Sequence, residues 1–168
     1  MIIGSSIKDF GANLRLQRSY NWEILLPDVV GLRGTDVSKF CQSVSFGQYN
    51  VDEIDHLRYG PFRTKYAGKL EIVELKLMFI VPIPDIVSEY FLRWRELVID
   101  KAGLYSPKVK YVKDAHVVLY DVDGKEVSKF RFIGVFPKEL PEFDLSYESE
   151  EILKYRVALS VDKVTKLL

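Results

Sequence analysis

The chain has 168 residues, of which 48% are hydrophobic and 29% are charged. This length and composition are typical of one folded domain with a sizeable core, and they exclude a disordered chain. Lys plus Arg and Asp plus Glu number 24 each, so no net charge attracts the protein to nucleic acid or to an anionic membrane.

The N-terminal region predicts an arm followed by a strand. Residues 1–18 lack a clean period and are predicted to form the arm, and residues 19–168 are predicted to form one domain. From Tyr20 to Leu26, large apolar residues alternate with other residues, which indicates a half-buried strand that Pro27 ends.

Two further alternating runs, 40–46 and 51–57, are predicted to pair as a hairpin through a turn at 47–50. The second run carries charge on both faces, so we expect it at a solvated edge or against another subunit. Residues 57–69 are rich in glycine, aromatic and basic residues and are predicted to be a loop.

The centre of the chain predicts its clearest strand and its only helix. In the strand at 70–81, the odd positions are apolar and are expected to face the core, while Glu74 and Lys76 lie on the other face. The helix is predicted to begin at the N-cap Asp85 and to end with Gly103 as a left-handed C-cap. Its apolar stripe consists of Val87, Tyr90, Phe91, Trp94, Leu97 and Val98.

The C-terminal part predicts strands again. A turn at Asp123-Gly124 joins two strands as a hairpin, and residues 151–164 alternate between an apolar and a polar face. Between them, residues 134–149 are predicted to form a connector stiffened by Pro137 and Pro141. The whole predicts an α+β fold, mainly an antiparallel β-barrel or sandwich of six to seven strands with one flanking α-helix.

A search for catalytic, cofactor and metal motifs finds none. His56 and His116 have no partner ligand at metal spacing, and the glycines form no phosphate-binding loop. Cys41 is the only cysteine, so an intrachain disulfide is excluded, and either a reducing compartment or a fold that does not depend on cysteine is indicated. The N-terminus lacks a signal-peptide pattern, and no apolar run reaches the roughly 20 residues of a spanning helix. We therefore expect a soluble protein, and a pairing of Cys41 with His56 or His116 in space stays open as a catalytic alternative.

The order of segments resembles the tail-tube proteins of contractile-tailed bacteriophages, which are related to the haemolysin-coregulated protein of type VI secretion and to the inner-tube subunits of phage-like injection machines. The most specific part is the closing segment, which resembles the family's Gly-aromatic-Pro, Asp-x-Ser, acidic turn and final strand ending in Asp. The segments that carry the resemblance are NLRLQRSYNWEILLP, KFCQSVSFGQYNVDEI, YGPFRTKYAGK, VELKLMFIV, EYFLRWRELV and GVFPKELPEFDLSYESEEILKYRVALSVD.

This resemblance implies one tail-tube β-barrel domain without enzymatic activity or cofactor. It implies that six copies form a ring, and that rings stack into a tube through which DNA or effectors pass without specific binding. The implied partners are other copies of the chain, tail sheath and baseplate proteins, and the implied location is a virion tail assembled in the host cytoplasm. The alternatives are a baseplate ring that initiates the tube, a secreted type VI tube subunit, and a small ligand-binding β-barrel.

Within that expectation, two groups of residues receive roles. The first is expected to contact the neighbouring subunit or the next ring: Phe46, Tyr49, Val51, Arg58, Tyr59, Phe62 and Arg63. The second is expected to face the lumen or a neighbouring subunit, where mixed charge would keep a polyanion from adhering: Glu74, Lys76, Lys154 and Arg156.

Overall fold

The computed structural model describes residues 17–47, 49–57, 63–72, 74–139 and 145–168. Within them the chain forms nine strands and three helices. The strands are β1 (Trp22–Leu25), β2 (Cys41–Ser45), β3 (Asn50–Leu57), β4 (Arg63–Glu71), β5 (Leu75–Ile80), β6 (Lys113–Tyr120), β7 (Glu126–Pro137), β8 (Lys154–Ser160) and β9 (Lys163–Lys166). The helices are α1 (Gly34–Ser38), α2 (Ile86–Val98) and α3 (Lys108–Tyr111).

Seven strands form the main sheet in the order β1-β6-β7-β8-β5-β2, and β9 also pairs with β7. Every pairing is antiparallel. The prediction of a mainly antiparallel α+β fold is confirmed. The order ends at β1 and at β2, however, so the described strands do not close into a barrel, and α1 and α3 add two short helices to the one predicted.

Strand β7 holds the two halves of the main sheet together. It pairs with β6 along most of its length, with β9 at Phe130–Ile133, and with β8 only at Phe136 and Pro137. Gly134, where the partner changes, has φ +70, and a Cβ there would collide with the carboxylate of Asp162. The Asp162 carboxylate occupies the space that a side chain at position 134 would need. A glycine is therefore required at position 134 as long as Asp162 holds this position. The first part of the predicted connector is thus strand, and residues 140–144 lie outside the described residues.

The main sheet and α2 enclose the core. The predicted inward faces of β5 and β8 are confirmed, since Leu75, Leu77, Phe79 and their neighbours on β8 are buried. The stripe of α2 is confirmed as well, with Val87, Tyr90, Phe91 and Trp94 fully buried. The indole Nε1 of Trp94 donates to the carbonyl oxygen of Tyr111 at 2.8 Å, which ties α2 to α3.

The ends of α2 agree with the prediction on one side only. Asp85 is the N-cap and accepts a hydrogen bond from the Ser88 N–H at 3.0 Å, as predicted. The predicted C-cap was wrong: the helix ends at Val98, and Gly103, with φ +80, lies in a following turn in which its N–H donates to Asp100. The backbone of Ile99 is extended, so the helix ends before Gly103.

The predicted hairpin of residues 40–46 and 51–57 was also wrong. β2 pairs with β5, placing Val44 opposite Leu77, because its half-apolar pattern fits a strand on the core. β3 pairs instead with β4, in a separate two-stranded sheet that includes much of the predicted loop at 57–69. The C-terminal hairpin of β6 and β7 is confirmed, and Gly124 in its turn has φ +78.

Candidate assembly surface

The two-stranded sheet of β3 and β4, here called the ribbon, stands apart from the main sheet. Among the described strands, none other than β4 pairs with β3, and none other than β3 pairs with β4. Val51 lies opposite Leu70, and Ile54 lies opposite Tyr66. Between these pairs the register shifts, with one residue on β3 facing two on β4, so the ribbon contains a β-bulge.

The ribbon exposes large apolar side chains on both faces. The exposed fraction is 52% for Val51, 55% for Ile54, 47% for Tyr66 and 60% for Leu70. Directly opposed residues share a face, and the extra residue of the bulge lies on β4. β3 therefore keeps its alternation, so Val51 and Ile54 point to opposite faces. Each face of the ribbon thus presents an apolar pair to the outside.

The two strands of the ribbon carry opposite charge. β3 contains Asp52, Glu53 and Asp55 and no lysine or arginine, whereas β4 contains Arg63, Lys65 and Lys69 with one carboxylate at its end. Within the ribbon, Lys65 donates to Glu53 in an ion pair whose side chains are both exposed. The outer edge of β3 is therefore acidic and the outer edge of β4 is basic.

The base of the ribbon is fixed to the main sheet by two aromatic residues. The hydroxyl of Tyr49 donates to the carbonyl oxygen of Val164 on β9 at 2.7 Å. The ring of Phe46 lies 5.1 Å from the rings of both Phe130 and Phe132, in edge-to-face contact. Both residues thus contact their own subunit, and their predicted role between subunits stays a prediction.

The other residues predicted at this surface divide into two groups. Val51 is on the ribbon and exposed, and Arg63 is the first residue of β4. Arg58, Tyr59 and Phe62 lie outside the described residues. Sequence reasoning missed Ile54 because it treated β3 as half of another hairpin, and it missed Leu70 because it assigned this residue to the strand at 70–81. Pairing the run 51–57 with 63–71 would have placed both of them in apolar cross-strand pairs.

Of the predicted lumen or subunit-facing residues, Lys76 lies on the outer face of β5, Lys154 and Arg156 lie on the outer face of β8, and Glu74 directly precedes β5. Lys76 lies opposite Ala158, Met78 opposite Arg156 and Ile80 opposite Lys154, and this face points away from the core. Lys138 forms an ion pair with Glu74. The hydrogen bond and charge of this lysine hold the pKa of Glu74 below its usual value.

The described residues contain no group of three or more His, Cys, Asp or Glu side chains that could hold a metal ion. Burial raises the pKa of Cys41 to about 12, so the thiol is a poor nucleophile at neutral pH. Burial also lowers the pKa of His116, and the charges of Lys129 and Arg131 lower it further. No helix in the described part has the length and apolar character needed to cross a membrane.

No protein-family model and no curated protein sequence matches the chain. Solved structures do match it. The anti-feeding prophage cap (AFP tube terminating cap) aligns with a TM-score of 0.67 and 17% identity over 97% of this chain and 98% of that one. The PVC sheath-tube complex of an extracellular contractile injection system aligns with a TM-score of 0.64 and 16% identity over 97% and 98%.

The PVC sheath/tube terminator aligns with a TM-score of 0.68 and 16% identity over 94% of this chain and 100% of that one. These similarities extend over nearly the whole of each chain. The fold is therefore that of tube and terminator proteins of contractile injection systems, as the sequence resemblance implied.

Proposed function

We propose that the protein is a structural subunit of the inner tube of a contractile tail or injection system, with six copies in a ring and rings stacked into a hollow conduit. The exposed ribbon is the observation that carries this proposal. A two-stranded sheet is marginally stable by itself in water, and apolar side chains on both of its faces favour a covering partner. A tube subunit has such a partner in the next copy of the same chain.

The exposed apolar side chains of the ribbon give this contact its driving force. Each is about half exposed, so covering it contributes about 1 kcal/mol. Val51 and Leu70 lie on one face of the ribbon, and Ile54 and Tyr66 lie on the other. A ribbon placed between neighbours would bury both faces, whereas a simple pairwise contact would bury one.

The opposite charges of β3 and β4 favour a head-to-tail arrangement of copies. A strand added beside β3 places its side chains next to the carboxylates of β3, so a basic strand pairs there more favourably than an acidic one. Two β3 edges would repel each other. The contact of β3 with β4 of another copy is heterologous, and repeating it generates a ring when the rotation closes.

The remaining parts of the proposal follow from the role of a tube. Its partners are further copies of the chain, the tail sheath and the baseplate, and DNA or effectors pass through the lumen. The subunit is not an enzyme, and it is placed in a virion tail or a related injection particle assembled in the cytoplasm of the host cell. The shared fold of the tube and terminator proteins supports this reading.

The experiment that tests the head-to-tail contact uses two complementary charge reversals, Asp52→Lys and Lys69→Glu. Each variant carries ribbon edges of like charge at the bulge, so we expect each alone to remain unassembled at low salt in sedimentation. Mixing the two restores opposite charges at every contact between unlike copies, and we expect assemblies of alternating subunits.

The matched control is the charge reversal Lys125→Glu, in the turn between β6 and β7, which should leave assembly unchanged. Assembly of both ribbon variants separately, or failure of their mixture to assemble, contradicts the head-to-tail contact. Long tubes distinguish a repeating tube subunit from a baseplate ring that initiates the tube, which would give single rings.

A further inference from the structure

A group of exposed apolar side chains lies where the chain enters α2. It consists of Ile83, Tyr147 and Ile152, all of them largely exposed. The N–H of Val81 donates to the carbonyl oxygen of Leu153 at 3.1 Å, so Ile83 and Ile152 leave the main sheet at the same end. Large apolar side chains that gather on a surface favour a covering partner.

A second group of exposed apolar side chains lies where the chain leaves α2. Leu104, Tyr105 and Val109 are 67%, 80% and 83% exposed. Hydrogen bonds fix the turn that presents the first two of them. The N–H of Leu104 donates to the carboxylate of Asp100 at 2.8 Å, and Tyr105 pairs with Ile99 in an isolated β-bridge. These side chains are therefore in place before a partner binds, which lowers the entropic cost of the contact.

The two groups lie in segments of opposite charge. Residues 145–153 carry three carboxylates and no lysine or arginine, whereas residues 101–113 carry four lysines and no carboxylate. We call Ile83 with residues 147–152 the acidic end of the subunit, and residues 101–110 the basic end. Within the basic end, Lys108 is paired with Asp162, but Lys101 and Lys110 form no ion pair with another described residue.

The acidic end and the basic end lie on opposite sides of the subunit. α2 separates them, because Ile83 precedes this helix of 13 residues and the basic end follows it, which corresponds to about 20 Å. The N–H of Ser106 donates to the carbonyl oxygen of Val98, so the basic end stays close to the last residue of α2. β8 separates them in the same sense, since the acidic end directly precedes this strand and Asp162, the partner of Lys108, follows it.

We propose that the basic end of one copy docks on the acidic end of a copy in the next ring. The proposal rests on the proposed function, in which rings stack, and it assigns the ribbon to contacts within a ring and these two ends to contacts between rings. Complementary surfaces on opposite sides of one subunit make a heterologous contact, which repeats without closing when it runs along one axis. Two basic ends would repel each other, so all rings in a tube point the same way.

The test uses two charge reversals, one at each end. Lys101→Glu/Lys110→Glu places carboxylates at both ends of the subunit, and Glu150→Lys/Glu151→Lys places lysines at both ends. All four positions are exposed. We expect each variant alone to give single rings without tubes in electron microscopy at low salt. Mixing preformed rings of the two variants restores opposite charges at each contact, and we expect tubes in which the two kinds of ring alternate.

Lys125→Glu/Lys166→Glu is the matched control, since it reverses two exposed lysines outside both ends, and it should form tubes as the parent does. The contact between the two ends is overturned by tubes of parental length from either variant alone, by rings of the two variants that stay unstacked when mixed, by a variant that forms no rings, or by a control that does not stack. A parent protein that forms no rings overturns the proposed function itself, so the two failures are distinguishable.

Discussion

The main sheet and the ribbon are built from the same type of strand but use their apolar residues differently. In the main sheet, Leu77 and Phe79 are buried in the core, whereas Ile54 and Tyr66 in the ribbon are about half exposed. Both sets occupy regular antiparallel pairs. An apolar residue in a strand therefore stabilises the subunit in one region and, in our proposal, the contact between subunits in the other. The following predictions test that division.

The largest effect is expected in the core, at Trp94. Its side chain is fully buried and its Nε1 donates to Tyr111. Trp94→Ala should lower the free energy of unfolding by about 3–5 kcal/mol, because it leaves a cavity and an unpaired carbonyl. The measurement is urea unfolding of the subunit. Leu92 lies on the exposed side of the same helix, so Leu92→Ala should lower the free energy of unfolding far less. Equal losses for the two variants would show that burial of a helix residue against the core does not decide its contribution to stability.

The next effect is expected at Gly134, where β7 changes its pairing partner. Gly134→Ala places a Cβ against the Asp162 carboxylate at φ +70, and should cost more than about 1 kcal/mol. Gly124→Ala is the matched control, since its φ is +78 but its surroundings are open, so it measures the backbone strain alone. If the two substitutions cost the same, the contact with Asp162 has no effect on stability.

In the ribbon, the same kind of substitution should leave subunit stability nearly unchanged. Ile54→Ser/Tyr66→Ser removes one apolar pair that has no core beneath it, and we expect a change in unfolding free energy of less than about 1 kcal/mol. The loss should appear in assembly, measured by sedimentation. If this variant loses as much unfolding free energy as Trp94→Ala, the ribbon contributes to the core of the subunit. If it assembles normally, this face of the ribbon is not part of the contact between subunits.

The smallest effect concerns the ion pair of Glu74 with Lys138. The pKa of Glu74 is lowered from 4.5 in the folded state, so its stabilising effect is present above pH 4.5 and is lost as the pH falls through the lowered pKa. Glu74→Gln should flatten this part of the pH dependence of urea unfolding. An identical pH profile in parent and variant would show that the pair does not stabilise the fold.

Sequence patterns predicted the elements that face the core. The alternation of β5 and β8, the stripe of α2 and its N-cap at Asp85 are set by burial and by local hydrogen bonding, and the structure confirms them. The partners of β2 and β3 were not predictable in this way, because strand pairing depends on residues distant in sequence. The β-bulge near Asp52 and the exchange of partners at Gly134 are likewise tertiary features.

The candidate site was predicted in part. Charge on both faces of residues 51–57 indicated a solvated edge or a surface against another subunit, and the exposure of Val51 on the ribbon is consistent with both. Tyr66 lay in a segment whose glycine and basic residues favoured a loop, and Leu70 was assigned to the following strand at 70–81. The pairing of Glu74 with Lys138 could not be predicted, because the two residues are 64 positions apart in the chain.

Electron microscopy of the purified protein, beside the Ile54→Ser/Tyr66→Ser variant, tests the central claim most directly. We predict hollow six-fold rings or tubes for the parent protein, and dispersed folded subunits for the variant. Dispersed subunits of the parent at every concentration, or rings and tubes of the variant that match those of the parent, would contradict the role of the ribbon as the assembly surface.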